Sequence, residues 1–158
     1  MAKTKSFSNS ISTARLAGVQ SLYESEISGN DDDEIMIDFL TRRWSENWNE
    51  WSNHTKPNKT KFSTLVRGVK VEKTSLDKII SVAVDKNRKF ERLDILLKSI
   101  LRAGTFELLR EPNVPLAVVI NEYVLITHAF YFENEAAFVN AVLDSIGKTL
   151  RTPTESIQ

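Results

Sequence analysis

Apolar residues recur along almost the whole chain at the spacing of one helix face, i, i+3 and i+4, rather than in the alternation of a half-buried strand. From Ile11, the positions Ala14, Gly18 and Leu22, with Val19, Tyr23 and Ile27 on the adjoining ridge, predict a first helix. Ser10 or Ser12 can cap its start, and Gly29-Asn30 is a natural stop. Asp31 to Asp33 offer N-caps for a second helix through Ile35, Phe39 and Leu40, with Trp44, Trp48 and Trp51 on one face. The polar stretch 53–61, with Pro57, reads as a connection. A third helix runs from about Phe62 to Val84 on Leu65, Val66, Val69, Leu76, Ile79 and Ile80. The charged stretch 85–92 separates two halves, about 10–84 and about 93–151, of a single domain. A fourth helix resumes at Leu93 and ends before Pro112. Pro115 suits the first turn of a fifth, which continues through Leu116, Val119, Ile120, Tyr123 and Phe130. Asn134 can cap a sixth, carrying Phe138, Ala141, Val142 and Ile146 and ended by Thr152-Pro153. The β-branched run 116–120 has no alternating partner, so the predicted class is all-α.

Composition narrows the function classes. The 158 residues carry 21 Lys and Arg against 21 Asp and Glu, two His and no Cys. At this size roughly 68–70% of the unfolded surface can be buried, enough for a core without disulfides. Without cysteine there is no thiolate metal site and no thiol nucleophile, and cytoplasm is the expected compartment. No apolar run approaches the ~20 residues that span a bilayer, so no membrane partner is expected. Charge is segregated along the chain: residues 1–23 hold Lys3, Lys5 and Arg15 with no acid, residues 24–38 hold seven acids with no base, and residues 56–73 are basic again.

The residues of an enzyme are missing. His54 lies in a connection and His128 at a helix end, neither with a companion at metal-ligand spacing. The acids 31–34 lack the spaced ligands and turn glycine of a calcium loop, and no glycine-rich phosphate loop is present. A binding protein without cofactor or metal is the expected class. Two segments offer ligand chemistry beyond packing. In TARLAGVQSLYE, Arg15 and Gln20 fall between the apolar positions and Tyr23 adds an aromatic ring with a polar end; in ENEAAFVNAVLD, Phe138 and Asn140 follow the polar start of the last helix. Arginine and amide side chains hydrogen-bond phosphates and base edges, and aromatic rings stack on unpaired bases. Tyr23 and Phe138 are equally suited to a core.

These blocks carry a family resemblance. Ala14-Arg15 followed by Val19-Gln20-Ser21-Leu22-Tyr23 resembles the opening helix of the transcription antitermination factor NusB family. Phe62, Leu65, Gly68-Val69, Ile100-Leu101-Arg102, Phe106-Glu107-Leu108, Val114-Pro115, Val119-Ile120-Asn121-Glu122 and Phe138-Val139-Asn140-Ala141-Val142-Leu143-Asp144 are similar to its later blocks, in order. The resemblance covers about residues 13–151. It implies two three-helix bundles packed across each other. It also implies a non-enzymatic factor that binds boxA-type single-stranded RNA with the ribosomal protein NusE and joins the RNA polymerase antitermination complex on ribosomal RNA operons. Arg15, Tyr23 and Phe138 would lie at the RNA on one solvent-facing patch, with Lys3, Lys5, Gln20 and Asn140 as further contacts. Where the family carries arginines just before the Ala-Arg pair, this chain has Ile11, Ser12 and Thr13. Fewer phosphate contacts imply lower RNA affinity and a shallower salt dependence, unless the lysines of the amino-terminal arm, the basic segment 56–73 or NusE supply them. The alternative is a helical interaction module, a homodimer through the first and sixth helices with little RNA binding of its own.

Overall fold

A computed structural model describes residues 7, 9–44, 55–85 and 87–151. Six α-helices occur among them, α1 Ser10–Ser28, α2 Asp32–Asp38, α3 Lys59–Ala83, α4 Ile95–Arg110, α5 Leu116–Phe130 and α6 Glu133–Leu150, with no strand. A π-helical turn, Phe39–Arg43, follows α2, and a 3₁₀ turn, Phe90–Arg92, precedes α4. The chain forms two compact units, Met1–Val71 and Glu72–Gln158, divided inside α3.

In the first unit, α1 is capped by Asn9 and not by Ser10 or Ser12. The extended backbone of Asn9 lets its Oδ1 accept from Ile11 N at 2.8 Å and Ser12 N at 3.4 Å. The stop is the expected one: Gly29 takes φ +73°, a left-handed conformation open to glycine, and its N–H donates to Ser25 O. Asp31 stands at the N-cap of α2 without a side-chain capping bond; its Oδ1 instead accepts from Lys70 Nζ at 3.3 Å. The second helix does not run unbroken to Trp44. It loosens after Asp38 into the π-helical turn, closed by Trp44 N donating to Phe39 O, and Trp44 is buried. Trp48, Trp51 and His54 lie outside the described residues. α3 starts at Lys59, three residues before Phe62, because Asn58 Oδ1 accepts from Lys61 N at 2.8 Å. Phe7 is buried, and Thr55 N donates to its carbonyl at 2.9 Å. Gly18 lets α1 lie against the first half of α3, since a Cβ there would sit 2.7 Å from Leu65 Cδ2.

In the second unit α4, α5 and α6 pack on one another. α4 is the central element, buried on every side from Ser99 to Leu108. Its charges are therefore paired: Arg102 donates Nε to Asp77 Oδ1 at 2.7 Å and Nη2 to Asp77 Oδ2 at 3.0 Å. The fully buried Glu107 accepts from Tyr123 OH in a short hydrogen bond. Asp94 caps α4 by accepting from Leu97 N. Pro115 is the residue just outside α5 and not its first helical turn. The start of α6 is Glu133, preceded by Phe132, which offers no side-chain acceptor. Asn134 lies inside the helix, and the acids Glu133 and Glu135 face the positive end of its dipole. Arg151 donates to the carbonyls of Leu108, Glu111 and Val114, holding the turn that joins α4 to α5.

Gly104 sits where α4 meets α5 and α6. An added Cβ would lie 2.9 Å from Leu143 Cδ1, 3.0 Å from Leu143 Cδ2 and 3.4 Å from Tyr123 Cδ2, all belonging to fully buried side chains. Gly104→Ala is expected to lose about 1–2 kcal/mol in urea unfolding, because overpacking of about 1–3 kcal/mol outweighs the gain in helix propensity.

Candidate nucleic-acid interface

The sequence-predicted positions divide between the units. On α1, Gln20 and Tyr23 are one turn apart and share a face. Together with Glu24, Ile27, Phe39 and Arg43 they line an open groove of about 310 Å³. Tyr23 is 37% exposed and Gln20 half-buried, so a phenol ring and a carboxamide stand at its mouth. Phe39 is buried at its base, against Phe62 and Trp44.

The wall opposite Tyr23 is made by the π-helical turn. One extra residue in that turn brings positions four and five after Asp38 alongside it. Arg42 Nε reaches Asp38 Oδ1 at 2.6 Å, and Arg43 Nε reaches Asp38 Oδ2 at 2.8 Å. Arg43 also donates Nη2 to Glu24 Oε2 at 2.8 Å, and its Cζ lies 4.3 Å from the centre of the Phe39 ring. The hydrogen bond from Arg42 holds the Asp38 carboxyl below the usual carboxylate range, against the opposing pull of burial. Burial disfavours the charge of Arg43, but its bonds to Glu24 and Asp38 prevail and hold the guanidinium above its ordinary value. Arg43 is a fixed, neutralised wall, whereas the side chains of Tyr23 and Gln20 have no hydrogen-bond partner among the described residues.

Arg15 is only 4% exposed. From Thr13 to Val19 α1 is buried around its whole circumference, and Arg15 is enclosed with it, away from the exposed surface of Tyr23. Lys3 and Lys5 lie outside the described residues.

In the second unit Phe138 and Asn140 do not share a surface. Two residues apart on a helix means about 200° around the axis. Phe138 is half-buried on one flank of α6, with Arg88 Cζ 4.1 Å from its ring centre. Asn140 is exposed on the other flank, in a shallow groove of about 260 Å³ with Val124, His128, Glu133, Ala136 and Ala137. Sequence reasoning missed Arg43 and Arg88. The spacing of Asp38 to Arg42 and Arg43 was a usable signal for the first; the second sits in a charged connection with nothing to single it out.

The described side chains present stacking and hydrogen-bonding groups at the surface. The NusB family model matches residues 12–148. The transcription antitermination protein NusB of Allorhizobium ampelinum is 40% identical over 145 residues, covering 92% of this chain and 90% of that protein. Its counterpart in Sinorhizobium fredii is 41% identical over 143 residues, covering 90% and 89%. Among solved structures, NusB of T. maritima superposes with a TM-score of 0.76 at 25% identity, covering 96% of this chain and 100% of that one. A NusB crystallised with NusE and double-stranded RNA shares the fold with a TM-score of 0.72 at 21% identity, over 87% of this chain and 96% of that one. The helices, their order and their motif blocks thus agree with one family across nearly the whole length, and this chain is a member of the NusB family.

Proposed function

We propose that this protein is a transcription antitermination factor that binds boxA-type single-stranded RNA together with NusE and joins the RNA polymerase complex on ribosomal RNA operons. The observation that carries the reading is the exposed Tyr23 beside a half-buried Gln20 over an open groove, in a chain 40% identical to an antitermination protein over 92% of its length. A NusB of the same fold has been crystallised with NusE and double-stranded RNA. The action is binding and not catalysis, and the compartment is that of transcription, the bacterial cytoplasm. No described helix is long and apolar enough to cross a membrane.

The RNA-contacting set is Lys3, Lys5, Arg15, Gln20, Tyr23, Phe138 and Asn140. Gln20, Tyr23 and Asn140 are accessible in the free chain, whereas contact by Arg15 requires it to turn outwards from its buried position. Tyr23 offers a face to an unpaired base and Gln20 an amide to its edge. With Ile11, Ser12 and Thr13 at the start of α1, few phosphates are neutralised there, so NusE supplies a large part of the electrostatic contact.

Fluorescence anisotropy with a labelled boxA-type single strand, with and without NusE, tests the reading. Binding that strengthens with NusE is expected; no binding in either condition, or a homodimer that RNA does not dissociate, would overturn it. Tyr23→Ala is expected to weaken the complex roughly 5- to 150-fold, the worth of one base–aromatic stack, with helical circular dichroism unchanged.

A further inference from the structure

Arg88 lies outside the RNA-contacting set. It lies in the connection after α3, where Asp85 builds a tight turn: Asp85 O accepts from Arg88 N at 2.9 Å, and Asp85 Oδ1 accepts from Asn87 N at 2.9 Å. That turn leads the half-buried Arg88 side chain over Phe138, with Cζ 4.1 Å from the ring centre. Arg42, Arg43, Arg102 and Arg110 are each bound to a carboxylate, whereas Arg88 makes no ion pair among the described residues. A ring face holds a guanidinium through its quadrupole and leaves the N–H donors open. Arg88 is thus oriented in advance without being neutralised. Such a planar fork matches the two free oxygens of a phosphodiester.

We infer that Arg88, held on the ring of Phe138, is a phosphate-binding residue for single-stranded RNA, one that lies outside both motif segments. The inference rests on the RNA-binding reading. It gives Phe138 a second part as a positioning residue: one face of the ring carries Arg88, and the rest is left for a base. It also supplies a backbone contact in a chain that lacks the arginine run before Ala14-Arg15.

The test titrates labelled boxA-type single-stranded RNA into the full chain with NusE at several salt concentrations. Arg88→Gln keeps a planar polar group but removes the charge. It is expected to raise Kd roughly tenfold at physiological salt. It should also flatten the plot of log affinity against log salt by about 0.7, the share of one phosphate on a single strand. Arg88→Lys is expected to keep the slope while losing part of the affinity, because a point charge replaces the fork. An unchanged slope in Arg88→Gln, with Phe138→Ala weakening the complex, would overturn the inference and leave the RNA-binding reading standing. So would an Arg88→Gln defect in NusE binding without RNA and no change in the RNA slope, which would make Arg88 a protein contact. Absence of RNA binding by the unaltered complex would overturn both.

Discussion

Phe62→Ala is expected to lower the free energy of unfolding by about 3–5 kcal/mol and the thermal midpoint by about 6–20 °C. Phe62 is fully buried, with its ring centre 4.6 Å from that of Trp44 and 5.5 Å from that of Phe39. Alanine would remove the shared partner of both rings, leaving a cavity and forfeiting aromatic contacts of about 0.5–1.5 kcal/mol per pair beyond the buried area. The effect should reach the candidate interface, because Phe39 supports the guanidinium of Arg43 at the groove wall. Urea denaturation measures the first effect and RNA affinity in the folded fraction the second. A loss below about 1 kcal/mol would show that the cluster closes over the vacancy and does not brace the groove.

The second large effect lies in the core of the other unit. Tyr123→Phe is expected to cost about 2–3 kcal/mol, since Glu107, fully buried on α4, would lose the hydroxyl that donates to it. Glu107→Leu should cost at least as much, leaving a buried phenol without that acceptor. The double variant Glu107→Leu/Tyr123→Phe should cost clearly less than the sum of the two, because it removes both polar partners together. Chemical denaturation of the four proteins measures the coupling directly. Strict additivity would mean that the hydroxyl and the carboxylate do not depend on each other.

How far such features can be read in advance depends on their range along the chain. The helix faces were legible because periodicity is local: the stripes through Ala14 and Leu22, Leu97 and Leu101, and Val142 and Ile146 face inwards, although Ala141, expected on the last of them, is exposed. Helix ends were less so. Ser10, Ser12 and Asn9 are all competent caps, and the backbone angles at Asn9 decide between them. The π-helical turn was invisible because one extra residue scarcely disturbs an apolar stripe. On the groove, the shared face of Tyr23 and Gln20 was legible from their spacing of three. The burial of Arg15 was not, since it follows from what surrounds the start of α1 and not from the residues beside it. The Arg43–Glu24 pair spans 19 positions, beyond any local pattern. The opposed directions of Phe138 and Asn140 were, by contrast, written in their separation of two.

That opposition has a steric outcome for α6. A strand that touches both Phe138 and Asn140 must wrap around the helix, passing from the ring that carries Arg88 to the groove beside His128 and Glu133.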